Sequence, residues 1–200
     1  MNLFLFLHQN FNKPLSLYLN SFTDNKLIGD IVYCFADVPI FILPIFLIGA
    51  WLYFNYKKNI NGKNKLLFIF YSIFIAVIIN IIIQHFIHID RPEESLKNAG
   101  KLILNHIPDN SFPSDHASVG SAFLVSLFLF GFVRIGLIIL PFIIVMLLSR
   151  IAGGIHWPFD IIVGIIIGSL SSFIIYKIHF LNIFKKVNIL ILKFSSFFKL

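Results

Sequence analysis

The sequence predicts an all-α, polytopic membrane bundle of five to six crossing helices, on three observations. Of 200 residues, 58% are hydrophobic and only 12% are charged, with a mean hydropathy of +0.89; a soluble domain carries about 25% charged residues. Several apolar runs approach the roughly 17–25 residues that cross a bilayer as helix. The basic residues gather at the ends of those runs, which is where orientation signals sit.

The elements follow in order. Residues 1–30 form an N-terminal segment whose Leu and Phe are broken by His8, Asn10, Asn12, Lys13 and Asn20. That pattern suits a helix lying in the membrane interface, with a sixth crossing as the alternative. Five crossings are expected at 31–56, 66–89, 117–133, 135–150 and 159–178, which makes 31–178 the bundle. The fourth contains Pro141, a residue that spanning helices tolerate when neighbours cover the freed carbonyl. Residues 179–200 read as a basic amphipathic tail on the inner leaflet. On the fifth helix Gly164 and Gly168 form a small-xxx-small pair, expected to mark a close helix contact inside the bundle.

Orientation comes from the short loops. Lys57, Lys58, Lys63 and Lys65 occur without an acid, as do Lys177, Lys185, Lys186, Lys193 and Lys199 after residue 175. The 90–113 loop instead mixes Arg91, Lys97 and Lys101 with Asp90, Glu93, Glu94 and Asp109. The positive-inside rule places the 57–65 loop, Arg134 and the C-terminus in the cytoplasm. Five crossings then bring the polar clusters described below to the outer side.

The net charge of +7 invites a nucleic-acid reading, but its placement fits contact with anionic lipid, so no nucleic-acid partner is expected. The single cysteine, Cys34, allows no intrachain disulfide. The opening MNLFLFLHQNFNK lacks a basic n-region and a small-residue cleavage pattern, so a removable signal peptide is not expected.

Three polar clusters interrupt the apolar sequence, and ionisable groups near bilayer depth tend to mark substrate or ion sites. In the first, Gln84, His88 and Arg91 are spaced to share one face of a continuing helix, with Pro92 ending it. Arg91 can fork onto phosphate oxygens, although a lone interfacial arginine also anchors to headgroups. The second, Pro113 to His116, opens the third crossing, where unpaired backbone N–H groups favour an anion. Ser114 can add its hydroxyl there or simply cap the helix, and His116 can donate a proton to a leaving oxygen. The third runs from Ser149 and Arg150 through Gly153 and Gly154 to His156 and Asp160. The last two lie four residues apart, within reach for a carboxylate to hold one imidazole nitrogen and leave the other as nucleophile or base. Alone, Asp160 is also what a helix N-terminus favours. Asp37, beside Pro39, reads as the outer edge of the first crossing.

These clusters resemble the type 2 phosphatidic acid phosphatase superfamily, whose signature runs KxxxxxxRP, PSGH and SRxxxxxHxxxD. Arg91 and Pro92 match the first motif; Pro113, Ser114 and His116 match the second; Ser149, Arg150, His156 and Asp160 match the third. Gln84 stands where the family has Lys, and Asp115 where it has Gly. The Asp115 side chain is expected to point away from the anion site, leaving its backbone N–H to bind phosphate. The FPSDH variant and small size are most similar to the bacitracin-resistance type of undecaprenyl-diphosphate phosphatase. The resemblance implies a bacterial cytoplasmic-membrane enzyme without metal or cofactor, acting on a membrane lipid phosphate at the outer face. It implies His156 as nucleophile, Asp160 as its orienter and His116 as general acid. It further implies that Arg91, Arg150, Ser114, Asp115 and Gln84 hold the phosphate. Rival readings are a metal site built from His85, His88, Asp90, His106 and His116, and a non-catalytic membrane protein that transports or binds lipid phosphate.

Overall fold

The computed structural model describes residues 8–92 and 110–197. His106, Lys97, Lys101, Glu93, Glu94 and Asp109 of the mixed loop lie outside those residues, as does Lys199. The described residues form helices joined by turns and short extended segments, without strands. A short π-turn at His8–Asn12 leads into α1 (Lys13–Ser21), and a 3-10 turn at Phe22–Asp24 follows it. Then come α2 (Lys26–Tyr56), α3 (Ile60–Phe86), α4 (Asp115–Leu129), α5 (Val133–Ala152), α6 (Pro158–Ile178) and α7 (Asn182–Phe197). Helices α2, α3, α5 and α6 are long and apolar enough to cross a membrane, whereas α4 has 15 residues.

Boundaries move where local chemistry competes with the apolar pattern. Helix α3 starts at Ile60, ahead of the expected 66, because the Asn59 side chain accepts the Gly62 N–H at 2.9 Å and caps it. The expected basic loop therefore shrinks to a turn, and Lys63 becomes a buried helical residue. Its amine donates to Asn55 Oδ1 at 2.7 Å and lies 4.8 Å from the Trp51 ring centre. Helix α4 stops before the expected Val133 because Gly131 takes φ +86°. Phe132 N–H donates back to the Leu127 carbonyl at 2.7 Å, a Schellman closure that ends the helix. At the other end α3 stops at Phe86 and Ile87 turns extended. Gln84, His88 and Arg91 therefore do not share a helix face, contrary to expectation.

What ends α3 is Asn110. Its amide nitrogen donates to the Gln84 carbonyl at 3.2 Å and to the Ile87 carbonyl, while its oxygen accepts from Ile89 N at 3.0 Å. One side chain thus satisfies the backbone groups that a helix end leaves orphaned.

Packing runs from a large-residue cluster at one end (Leu66, Phe68, Ile69, Phe123, Leu127, Phe130, Ile175) to a zone of small residues toward the other. There α6 lies against α4 at backbone distance. A Cβ on Gly164 would come within 2.7 Å of Ala117 Cβ and the Ser114 carbonyl, and one on Gly168 would run into the Ser118 carbonyl and Ser121 hydroxyl. The glycine pair is a contact within the bundle, as its spacing predicts. Ser172 Oγ adds a bond to the Ala122 carbonyl at 2.8 Å across the same seam. Gly168→Val should cost at least about 1–3 kcal/mol through overpacking, read as a lowered melting temperature in detergent. Gly49→Ala, with nothing within 4 Å of its new methyl, is the matched control; equal melting of the two would refute the close seam.

Both amphipathic ends are tied to the bundle. Asn20 Nδ2 donates to the Ala152 carbonyl at 2.7 Å, and Phe159 N donates to Asn12 Oδ1 at 3.0 Å. On α7, Asn188 Oδ1 accepts from Tyr71 OH at 2.8 Å. The C-terminal ends of α3 and α5 and the N-terminal ends of α4 and α6 meet at one end of the bundle. Lys57, Lys58 and Lys65 lie at the other, near Phe54, Phe130 and Phe132.

Candidate active site

Where the four helix ends meet, Gln84, Arg91, Asn110, Asp115, His116, Arg150 and His156 line one cavity of about 350 Å³. Two arginines and two histidines from three separate stretches of sequence converge there.

His156 is fully set by backbone. The turn after α5 folds back, so that Ile155 N and His156 N both donate to the Arg150 carbonyl, at 3.0 and 3.2 Å. Its Nδ1 lies 2.8 Å from the Ser111 carbonyl, which only accepts, so Nδ1 carries the hydrogen and Nε2 holds the lone pair. Asp160 Oδ2 stands further off, 3.8 Å from Nδ1. That carboxylate accepts from Ser111 Oγ at 2.5 Å and from Trp157 N at 2.9 Å, capping α6 and bracing the segment that carries Ser111. Asp160 thus acts on the ring through Ser111, where the sequence suggests direct contact. Burial, with Arg150, Arg91 and His116 around it, holds the His156 imidazole well below its ordinary pKa range, because each of these opposes a second positive charge.

Arg150 spans the site. Its Nη2 donates to His156 Nε2 at 3.1 Å; Nη1 lies 3.2 Å from His116 Nε2, donates to the Ala36 carbonyl at 3.3 Å and pairs with Asp37. Asp37 Oδ1 is also 3.3 Å from His116 Nε2. Arg91, in the extended segment after α3, is buried and donates to the Ile155 carbonyl at 3.0 Å. Trp157 Nε1 fixes that segment through the Asp90 carbonyl at 2.9 Å.

The two departures from the superfamily signature touch each other. Gln84 Nε2 donates to Asp115 Oδ1 at 3.2 Å and to the Pro113 carbonyl at 3.2 Å, and Asn80 Nδ2 donates to the same Asp115 oxygen at 2.7 Å. The Asp115 carboxylate is therefore held between two amides of α3, at the edge of the cavity that Asp115 and Gln84 both line. A lysine at 84 would bring one charge to this edge, and the Gln–Asp pair brings the opposite one.

Ser114 is buried behind the cavity, where its Oγ accepts from Ala117 N at 3.4 Å as a helix cap. His88 is exposed, 3.6 Å from Asp90, while His116 pairs with Asp37. His88 and His116 of the rival metal set thus have different partners, His106 lies outside the described residues, and no group of three metal-ligating side chains occurs among the described residues. Sequence reasoning missed Asn80, Asn110 and Ser111, and took Asp37 as a mere helix edge. Asp37 and Asn80 had a usable signal, each being a lone polar residue inside an apolar run; Asn110 and Ser111 had none.

The PAP2 superfamily pattern matches residues 65–184. Among curated proteins, the putative undecaprenyl-diphosphatase YbjG of Escherichia coli (strain K12) is 26% identical over 175 residues, covering 84% of each chain. The bacitracin transport permease protein BcrC of Bacillus licheniformis is 30% identical over 154 residues, 76% of this chain and 71% of that one. Among solved structures, Aquifex aeolicus LpxE aligns over 83% of this chain and 94% of its own, with TM-score 0.64 and 22% identity. A PAP2-type phosphatidylglycerolphosphate phosphatase from Bacillus subtilis aligns over 84% and 86%, with TM-score 0.55 and 20% identity. With the matched pattern spanning more than half of the sequence and containing all of its polar clusters, this membrane protein belongs to the PAP2 superfamily.

Proposed function

We propose that the protein hydrolyses the terminal phosphate of a membrane lipid at the outer face of a bacterial cytoplasmic membrane, with undecaprenyl diphosphate as substrate and undecaprenyl phosphate as product. The observation that carries this is the convergence of Arg91, His116, Arg150 and His156 on one cavity at the helix ends. Beside it, an apolar groove of about 370 Å³ runs between α2 and α5, lined by Phe35, Val38, Leu43, Phe142 and Met146. A phosphate held in the cavity leaves its chain free to lie in the groove. The name of the YbjG relative supports the choice of diphosphate, and the lysines at the far end of the bundle support an outward-facing site.

In this reading His156 Nε2 attacks the terminal phosphorus, a P–N bond forms and the bond to the bridging oxygen breaks. His116 gives that oxygen its proton and, deprotonated, takes one from the water that attacks in the second step. Arg150 and Arg91 neutralise charge on the phosphoryl oxygens as it shifts. The Nε2 lone pair, which accepts from Arg150 Nη2 at 3.1 Å, is released when a phosphate oxygen draws the guanidinium away. The test is phosphate release by purified protein across undecaprenyl diphosphate, phosphatidate, phosphatidylglycerol phosphate and lipid A. The diphosphate should have the highest kcat/KM, by about tenfold or more, the scale of one charged contact; a higher value for any of the monoesters would replace it as substrate.

A further inference from the structure

Asp37 is an acid at the site that the chemistry above does not use. It lies on α2, 79 positions before His116 and 113 before Arg150, yet its Oδ1 pairs with Arg150 Nη1 and sits 3.3 Å from His116 Nε2. Those two groups are the ones a departing phosphate oxygen would need, one to donate hydrogen bonds and one to supply a proton. A carboxylate oxygen, like a phosphate oxygen, is an anionic acceptor, so Asp37 Oδ1 makes to Arg150 and His116 the contacts that such an oxygen would make.

Its surroundings suit an occupant that can leave. The Arg150 side chain is 2% exposed, but that of Asp37 is 30% exposed, so water can receive the carboxylate when it moves. Pro39 and Pro44 follow within α2 and remove backbone donors, which weakens the helix locally. Phe35 and Val38, its neighbours on the same turn, line the apolar groove. Asp37 therefore stands where the groove meets the phosphate cavity.

We propose that Asp37 is a positioning residue that holds Arg150 and His116 together ahead of phosphate binding and yields its place to an oxygen of the incoming phosphate. This rests on the lipid phosphatase reading but not on which lipid is hydrolysed. Two opposed effects follow. The resident charge competes with phosphate and lowers affinity, while the contact it makes beforehand sets the proton donor and the guanidinium in the register that the arriving phosphate meets.

The experiment compares wild type, Asp37→Asn and Asp37→Glu, using inorganic phosphate as a competitive probe and a short-chain lipid phosphate for kcat and KM. Asp37→Asn should bind inorganic phosphate about tenfold more tightly while kcat falls about tenfold or more, the scale of a charge-assisted hydrogen bond. Asp37→Glu should restore weak phosphate binding and much of kcat. Unchanged or weaker phosphate binding by Asp37→Asn would reduce Asp37 to a structural pin and overturn the proposal, whatever happens to kcat. Should the variants not fold, wild type alone decides: labelling of Asp37 by a hydrophobic carbodiimide, read by mass spectrometry, should rise when phosphate is added. Labelling that stays level or falls would overturn the proposal. Wild type that binds no inorganic phosphate removes the phosphatase reading as well, whereas binding indifferent to Asp37 removes this inference alone.

Discussion

His156→Ala lowers phosphate release by about four orders of magnitude or more, the loss seen when a covalent nucleophile is removed from a site whose other groups remain. The expectation rests on the ring being fixed by the Ser111 carbonyl at 2.8 Å, which leaves Nε2 as the one nitrogen with a lone pair facing the cavity. Acid-labile phosphate bound to histidine should be trapped from wild type and absent from the variant. Asp160→Asn should fall much less, because the carboxylate lies 3.8 Å from Nδ1 and acts through Ser111. Equal losses for the two variants would contradict that order of contacts.

The same prediction has a pH signature. The attacking form is the neutral imidazole, and this histidine's pKa is held well below its ordinary value by burial and then by the neighbouring Arg150. Protonation removes the nucleophile only as pH falls through that depressed value, so the nucleophile is still available at pH 6.5, where a free histidine is about half protonated. The acid limb of single-turnover phosphoryl transfer should therefore lie below pH 6.5. A limb at or above 6.5 that follows His156 would show that the site does not suppress its charge. Residual turnover by His156→Ala within about a hundredfold of wild type would remove it as nucleophile altogether.

Much of this site could be read from the sequence because its parts sit at helix ends. Apolar runs locate the crossings, and alternate crossings return Arg91, His116, Arg150 and His156 to one end of the bundle without knowledge of any contact. The signature spacing from Arg150 to His156 is short enough for one turn to fix it. What could not be read depends on a side chain meeting distant backbone. Asn110 ends α3 by bonding the Gln84 and Ile87 carbonyls, so a helix-face argument for His88 and Arg91 failed although its periodicity was sound. Asp37 meets Arg150 across 113 positions, and no spacing rule covers that distance. Asp115 is held against α3 because Asn80, one turn before Gln84, supplies a second amide. Lone polar residues such as Asn80 and Asp37 within apolar helices were the one clue available, and they deserved more weight than the nearest proline or loop.

Arg150→Lys lowers kcat/KM by about 10²–10³, or about 3–4 kcal/mol, the range for losing a preorganised donor at a developing oxyanion. Charge alone does not explain the wild-type geometry. One guanidinium nitrogen reaches His156 Nε2 at 3.1 Å while the other reaches Asp37, the Ala36 carbonyl and His116. A lysine keeps the positive charge but has a single nitrogen, so it can serve one side of the cavity and not both. The loss should appear in kcat as well as KM, because the contact that fails bridges nucleophile and proton donor. Affinity for inorganic phosphate should weaken in the same variant, in contrast to the tightening expected on removing the Asp37 charge. Activity of Arg150→Lys within threefold of wild type would mean that a point charge suffices and that the fork between the two histidines has no part in turnover.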